Sequence, residues 1–221
     1  MINAIINGNF IDWITSTICM MPGIIIALCV HEFAHAYVAD KAGDPTPRAM
    51  GRVSLNPGAH IDAIGMIALV LIHFGWGKPV IINRNNFKKQ RRDSIFVAFA
   101  GVAMNFVVAT ALGLALQFSL KSDAILLFFA RNTAGEIIWE ILTDIVVINY
   151  SLMFFNLLPV PPLDGFNIFT EIFNLRGTKV WNFVYHYSFP ILLLIILFDI
   201  PELILSKPLS FLVNFIVLGV H

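Results

Sequence analysis

Five runs of this sequence are apolar for so long that water cannot be their main solvent: about residues 14 to 40, 94 to 120, 137 to 158, 182 to 199 and 203 to 219. Crossing some 30 Å of hydrocarbon takes roughly 20 apolar residues in a helix. Inside a bilayer the backbone must satisfy its own hydrogen bonds, and a helix does this within one segment. The expected fold is therefore an all-α polytopic membrane protein with about five transmembrane helices. Composition agrees, with 58% hydrophobic residues against 13% charged.

A sixth apolar stretch, residues 61–76, is shorter and carries Gly65, His73 and Gly75. The loop that follows holds Lys78, Arg84, Lys88, Lys89, Arg91 and Arg92, whereas residues 1–13 hold no lysine or arginine. Basic loops stay in the cytoplasm, so the N-terminus is expected outside the cell membrane and the first helix is expected to end inside at Lys41. A full crossing by residues 61–76 would put the basic loop on the wrong side. Residues 46–76 are therefore expected to form a re-entrant or steeply slanted hairpin between the first and second spans, shielded by protein or by a water-filled cavity. On this topology His31, His35 and Asp164 all lie toward the cytoplasmic face.

With 221 residues, most of them in spans, the chain reads as one domain: a core over about 14–174 and a C-terminal helical pair over about 182–219. The formal charge is zero and the basic residues sit in short loops, so nucleic acid is not an expected partner. Cys19 and Cys29, the two cysteines, both fall in the first apolar run and read as packing residues. The N-terminus has no basic n-region or cleavage site and is expected to be retained.

The first span contains His31-Glu32-Phe33-Ala34-His35. Positions i and i+4 share a helix face, so both imidazoles can point at one ion with Glu32 beside them. Two histidines and one further ligand leave a fourth zinc position for water, and the glutamate can take and return its proton. Three ionisable groups within five residues of an apolar helix cost several kcal/mol unless paired, solvated or metal-bound, so a functional reading is favoured.

Asp164 is the best-placed third ligand. It follows Pro159-Val160-Pro161-Pro162-Leu163, and three prolines in four positions must break the preceding helix. Taken alone, these residues fit equally an aspartate turned toward the histidines and one that simply caps a short helix through Thr170 and Glu171.

His31-Glu32-x-x-His35 together with Asn156-x-x-Pro159-x-x-x-x-Asp164-Gly165 resembles the site-2 protease family of intramembrane zinc metalloproteases, in its small bacterial form without extra domains. Gly51-Arg52-Val53-Ser54-Leu55-Asn56-Pro57, His60-Ile61-Asp62, Gly75-Trp76-Gly77-Lys78-Pro79-Val80 and Phe99-Ala100-Gly101 through Asn105 are similar to that subgroup as well. Val102 departs from it, standing where the family usually has proline. The resemblance implies one zinc ion held by His31, His35 and Asp164, with Glu32 as general base and Asn156 supporting substrate or the transition state. It implies peptide-bond hydrolysis in membrane-spanning or membrane-proximal protein substrates.

Other polar residues carry two readings. His60 and Asp62 face the cavity as an oxyanion stabiliser or a support for the site, or else are solvated at the interface. Asn105 donates a hydrogen bond toward the site or makes an interhelical contact. Arg52 reads as an interfacial anchor and Asn56-Pro57-Gly58 as a turn. His73 is placed at the interface with Trp76, and His186 and His221 are given no ligand role. Glu136 and Glu140 share a helix face near the outer end, where solvent exposure is expected. The rival function is a metal-ion transporter or channel, because intramembrane His and Asp also line ion pathways.

Overall fold

The computed structural model describes residues 10–72 and 75–219. The expectations for the first nine residues, His73 and His221 lie outside them. Among the described residues the fold is all-helical, as expected: α1 (Phe10–Ala42), α2 (Thr46–Ala49), α3 (Pro57–His60), α4 (Ala63–Ile72), α5 (Gln90–Ser119), α6 (Asp123–Arg131), α7 (Thr133–Leu157), α8 (Asp164–Ile172), α9 (Lys179–His186), α10 (Ser188–Leu197) and α11 (Ile200–Val213), the last running on into a wide turn over Asn214–Leu218. Among the described residues, four helical stretches are long and apolar enough to cross a membrane: Ile14–Ala42, Gln90–Ser119, Thr133–Leu157 and Ile200–Leu218. The pair α9 and α10 makes a fifth if counted as one span, although it bends by 64°.

That bend is a departure from the continuous helix expected over 182–199. Pro190 has no N–H to give to the carbonyl of His186, four residues back, and its ring would collide with that carbonyl in a straight helix. The chain breaks at Tyr187 between the two. Helix α6 was also not expected, because nine residues are too few for a span. Its ends fit the helix dipole, with Asp123 in the first turn and Arg131 in the last.

Helices α1, α5 and α7 pack against one another and form the centre of the molecule. Hydrophobic burial gives no drive between helices in lipid, so close approach through small side chains matters more. Ala27, Ala36, Ala39 and Ala109 are fully buried at these contacts. Val102, Leu116, Val146, Tyr150 and Met153 fill the α5–α7 core, and Val217 closes its far end. Tyr150 Oη and Thr110 Oγ1 share a 2.9 Å hydrogen bond across it.

Ile61 pairs antiparallel with Gly77, and the Lys78 N–H donates to His60 O at 2.7 Å, so residues 60–61 and 77–78 lie side by side. Arg52 ties this base together by donating to the carbonyls of Ala59 and Lys78. At 4% exposure Arg52 is a buried clamp, which corrects its reading as an interfacial anchor. Asn56 caps α3 through the Gly58 N–H, as a turn residue should.

Beyond the end of α1, Asp44 is fully buried and organises the next loop. Its carboxylate accepts from Thr46 Oγ1 at 2.6 Å, from the Asn83 N–H at 2.7 Å and from Asn86 Nδ2 at 2.8 Å. Burial pushes its pKa up, but these donors outweigh burial and hold it below the ordinary carboxylate value. Asn83 and Asn86 are thereby held beside the end of α1.

Candidate metal centre

His31 and His35 project from one face of α1, as their spacing requires, and are 5% and 7% exposed. Helix α7 ends at Leu157, the proline-rich turn reverses the chain, and α8 begins at Asp164 itself. Gly165 permits the return, because a Cβ there would lie 2.2 Å from Leu157 O. Asp164 Oδ2 then stands 3.2 Å from His31 Nε2 and 3.2 Å from His35 Nε2, and the two Nε2 atoms are 3.0 Å apart.

The tautomers follow from the surroundings. Asn105 Nδ2 donates to Ala27 O at 3.1 Å and to Asn149 Oδ1 at 2.9 Å, so Asn105 Oδ1 is the acceptor facing His31 Nδ1 at 2.7 Å. His35 Nδ1 donates to Val97 O at 2.7 Å. With the proton on Nδ1 in both rings, both Nε2 lone pairs are aimed at Asp164 Oδ2, which is buried and has no hydrogen-bond donor among the described residues. Three electron-pair donors crowded together in this way repel one another unless a cation lies between them. Donors bonded to a tetrahedral zinc ion at about 2.0–2.1 Å stand roughly 3.3 Å apart, close to the spacing seen. The residues fit a zinc ion, and no other such group of His, Cys, Asp and Glu occurs among the described residues.

Helix α5 seals this group from one side. A Cβ on Gly101 would meet His35 Nε2 at 2.5 Å and His31 Cε1 at 2.6 Å, so only glycine lets the helix lie on both rings. On the open side is a cleft of about 350 Å³, lined among others by Glu32, Val80, Asn156 and Asn167. Glu32 Oε2 accepts the Val80 N–H at 2.9 Å. Asn156 reaches the cleft wall while its Nδ2 donates to Leu152 O at 3.0 Å.

The structure thus brings His31, Glu32, His35, Asp164 and Asn156 to one cleft, with Asn105 behind His31. His60 is not on the cleft wall. It is fully buried, with Nε2 bonded to Ser54 O at 2.7 Å and Nδ1 without a partner among the described residues. Asp62 accepts the Gly65 N–H at the start of α4. Sequence reasoning passed over Asn149, whose only signal was an amide in mid-span, and did not connect Gly101 with the histidine rings.

Comparison with known proteins bears on this geometry. Residues 20–198 match the model of peptidase family M50. The chain belongs to that family. It is 38% identical over 157 residues to the provisionally named zinc metalloprotease YwhC of Bacillus subtilis, covering 69% of this chain and 70% of the relative. It is 28% identical over 179 residues to Rip2 of Mycolicibacterium smegmatis, also provisionally named a zinc metalloprotease, covering 76% of this chain and 64% of that one. No solved structure matches the chain significantly. As a member of the M50, or site-2 protease, family it is a zinc metalloendopeptidase and a multi-pass membrane protein. Transport is not favoured by these likenesses.

Proposed function

We propose that this M50 member hydrolyses peptide bonds of membrane-spanning or membrane-proximal protein substrates, with His31, His35 and Asp164 holding zinc and Glu32 acting as general base. The convergence of the two Nε2 atoms and Asp164 Oδ2 at 3.0–3.2 Å, with Glu32 on the same cleft, carries this reading. Bound zinc supplies Lewis-acid chemistry, acidifying water to a pKa near 7 and polarising the scissile carbonyl.

Glu32 is the residue that would take a proton from the attacking water on its carboxylate and deliver it to the leaving amine. Its hydrogen bond from Val80 occupies one oxygen and orients the group, while the second oxygen is available for the proton. Asn105 and Val97 keep the Nδ1 protons in place and so keep the Nε2 lone pairs directed. Asn156 presents a polar group to the substrate from the cleft wall.

A helical substrate hides its carbonyls in internal hydrogen bonds and must unwind locally to be cut. The hairpin 46–76 is a place for such an extended chain to pair by strand addition. The site faces the cytoplasm. In support, the basic loop is anchored at the end of α1 nearest the site, where the Lys88 N–H donates to Ala42 O at 3.3 Å.

The test is Glu32→Gln in the full-length protein, reconstituted in liposomes with single-span model substrates. Zinc content should stay at the wild-type level while cleavage is lost. Continued cleavage at the wild-type rate would remove Glu32 from the mechanism, and loss of zinc along with cleavage would make it a structural residue.

A further inference from the structure

We propose that Arg84 and Arg176 form a specificity subsite for an acidic side chain of the substrate, a reading that rests on the peptidase function above. Both guanidinium groups line the same cleft as Glu32 and Asp164. They converge on one carboxylate: Arg84 Nη2 lies 2.6 Å from Glu171 Oε1, and Arg176 donates to that same oxygen from Nη2 at 2.8 Å and from Nε at 2.9 Å. Two cations on one anion leave an unbalanced positive charge.

The exposure of the three groups decides which charge a substrate meets. The Arg84 and Arg176 side chains are 28% and 36% exposed, whereas that of Glu171 is 6% exposed. The anion is hidden behind its partners. Burial and the like charge of Arg176 push the Arg84 guanidinium below its ordinary pKa, against the opposing pull of Glu171. Arg84 Nε is held by Ser94 Oγ at 2.7 Å, and the Arg176 guanidinium lies 5.3 Å from the Trp181 ring, so both groups are positioned before any ligand arrives. Preorganised guanidinium groups of this kind suit a carboxylate.

The distance from the scissile bond follows from α8. Asp164, Asn167 and Glu171 occupy positions i, i+3 and i+7 of this helix and share one face. Seven residues of helix advance about 10 Å, which an extended peptide covers in roughly three residues. The cleft is acidic at Asp164 and Glu32, neutral at Asn156 and Asn167, and cationic at Arg84 and Arg176. An acidic substrate residue is therefore expected about three positions from the bond that is cut.

The experiment uses the zinc-loaded full chain in liposomes and single-span model peptides whose cut site has been mapped by mass spectrometry. Asp, Ala or Lys is placed at each of the five or so positions on either side of the bond, a window set by the extended rise per residue, and kcat/KM is measured. Asp at about the third position on one side should exceed Lys there by tenfold or more, the worth of roughly one charge-assisted hydrogen bond. The ratio should fall toward one in Arg176→Gln and in Arg84→Gln. It should invert in Arg176→Glu, which would then prefer Lys and so show that the variant protein is folded.

A wild-type enzyme with no Asp-over-Lys preference at any position overturns the subsite and leaves the peptidase reading standing. So does an equal loss for the Asp and Lys peptides in all of the variants, which marks the arginines as structural only. If the wild type cleaves none of the peptides although zinc is bound, the peptidase reading falls and the subsite with it.

Discussion

The 2.7 Å hydrogen bond between His31 Nδ1 and Asn105 Oδ1 joins helix α1 to α5 at a point where both side chains are buried. Asn105 can accept there because its amide nitrogen is committed to Ala27 O and Asn149 Oδ1. One amide thus couples three helices and selects the histidine tautomer that leaves Nε2 free.

Asn105→Ala should therefore weaken zinc binding about 10- to 100-fold, the usual effect of removing a hydrogen-bond partner of a histidine ligand. Titration against a competing chelator measures it. An unchanged zinc affinity would show that packing alone orients His31.

Gly101 offers a purely steric probe of the same centre. Gly101→Ala puts a methyl group 2.5 Å from His35 Nε2 and must push α5 off the rings. Overpacking of this kind costs roughly 1–3 kcal/mol, so both the melting temperature and the zinc content of the purified protein should fall. Retention of full zinc content would mean that the helices separate without disturbing the ligands.

Metal removal should register as a loss of stability that depends on Asp164. Zinc at about 1,000 times its Kd stabilises the native state by roughly 4 kcal/mol, so chelation should lower the thermal transition of the wild type clearly. Asp164→Ala should melt at nearly the same temperature with and without chelator. A full chelator effect in that variant would place the third ligand elsewhere.

Acid should loosen the loop after α1 through Asp44. Its folded pKa is depressed below the unfolded value of about 3.9, so its contribution is complete above that value and is lost as pH falls through the folded pKa. Asp44→Ala should destabilise the protein by about 2–4 kcal/mol at pH 7, given several buried hydrogen bonds to one carboxylate. Thermal scans should show the gap between variant and wild type closing only in acid. A gap independent of pH would assign the effect to packing instead.

The features legible in the sequence were those that depend on near neighbours or on bulk character. The spans α1, α5 and α7 emerged from apolar length, and the break before Asp164 from its prolines. The 64° bend at Tyr187 escaped notice although Pro190 signals it, because apolar length alone does not separate one span from two short helices. Helix α6 escaped because no length criterion for crossing a membrane selects nine residues.

His31, Glu32 and His35 were readable by themselves because a helix turns 3.6 residues at a time, which puts i and i+4 on one face whatever surrounds them. Only the tertiary structure showed that Asn105 accepts from His31, where one reading had it donate, while also joining three helices; it likewise buried His60 away from the cleft, hung Glu32 on Val80 and gathered Arg84 and Arg176 around Glu171. Val80 is 48 positions from Glu32 and Glu171 is 87 from Arg84. Whether such groups meet is set by how small side chains let α1, α5 and α7 approach, and no local periodicity in the sequence records that.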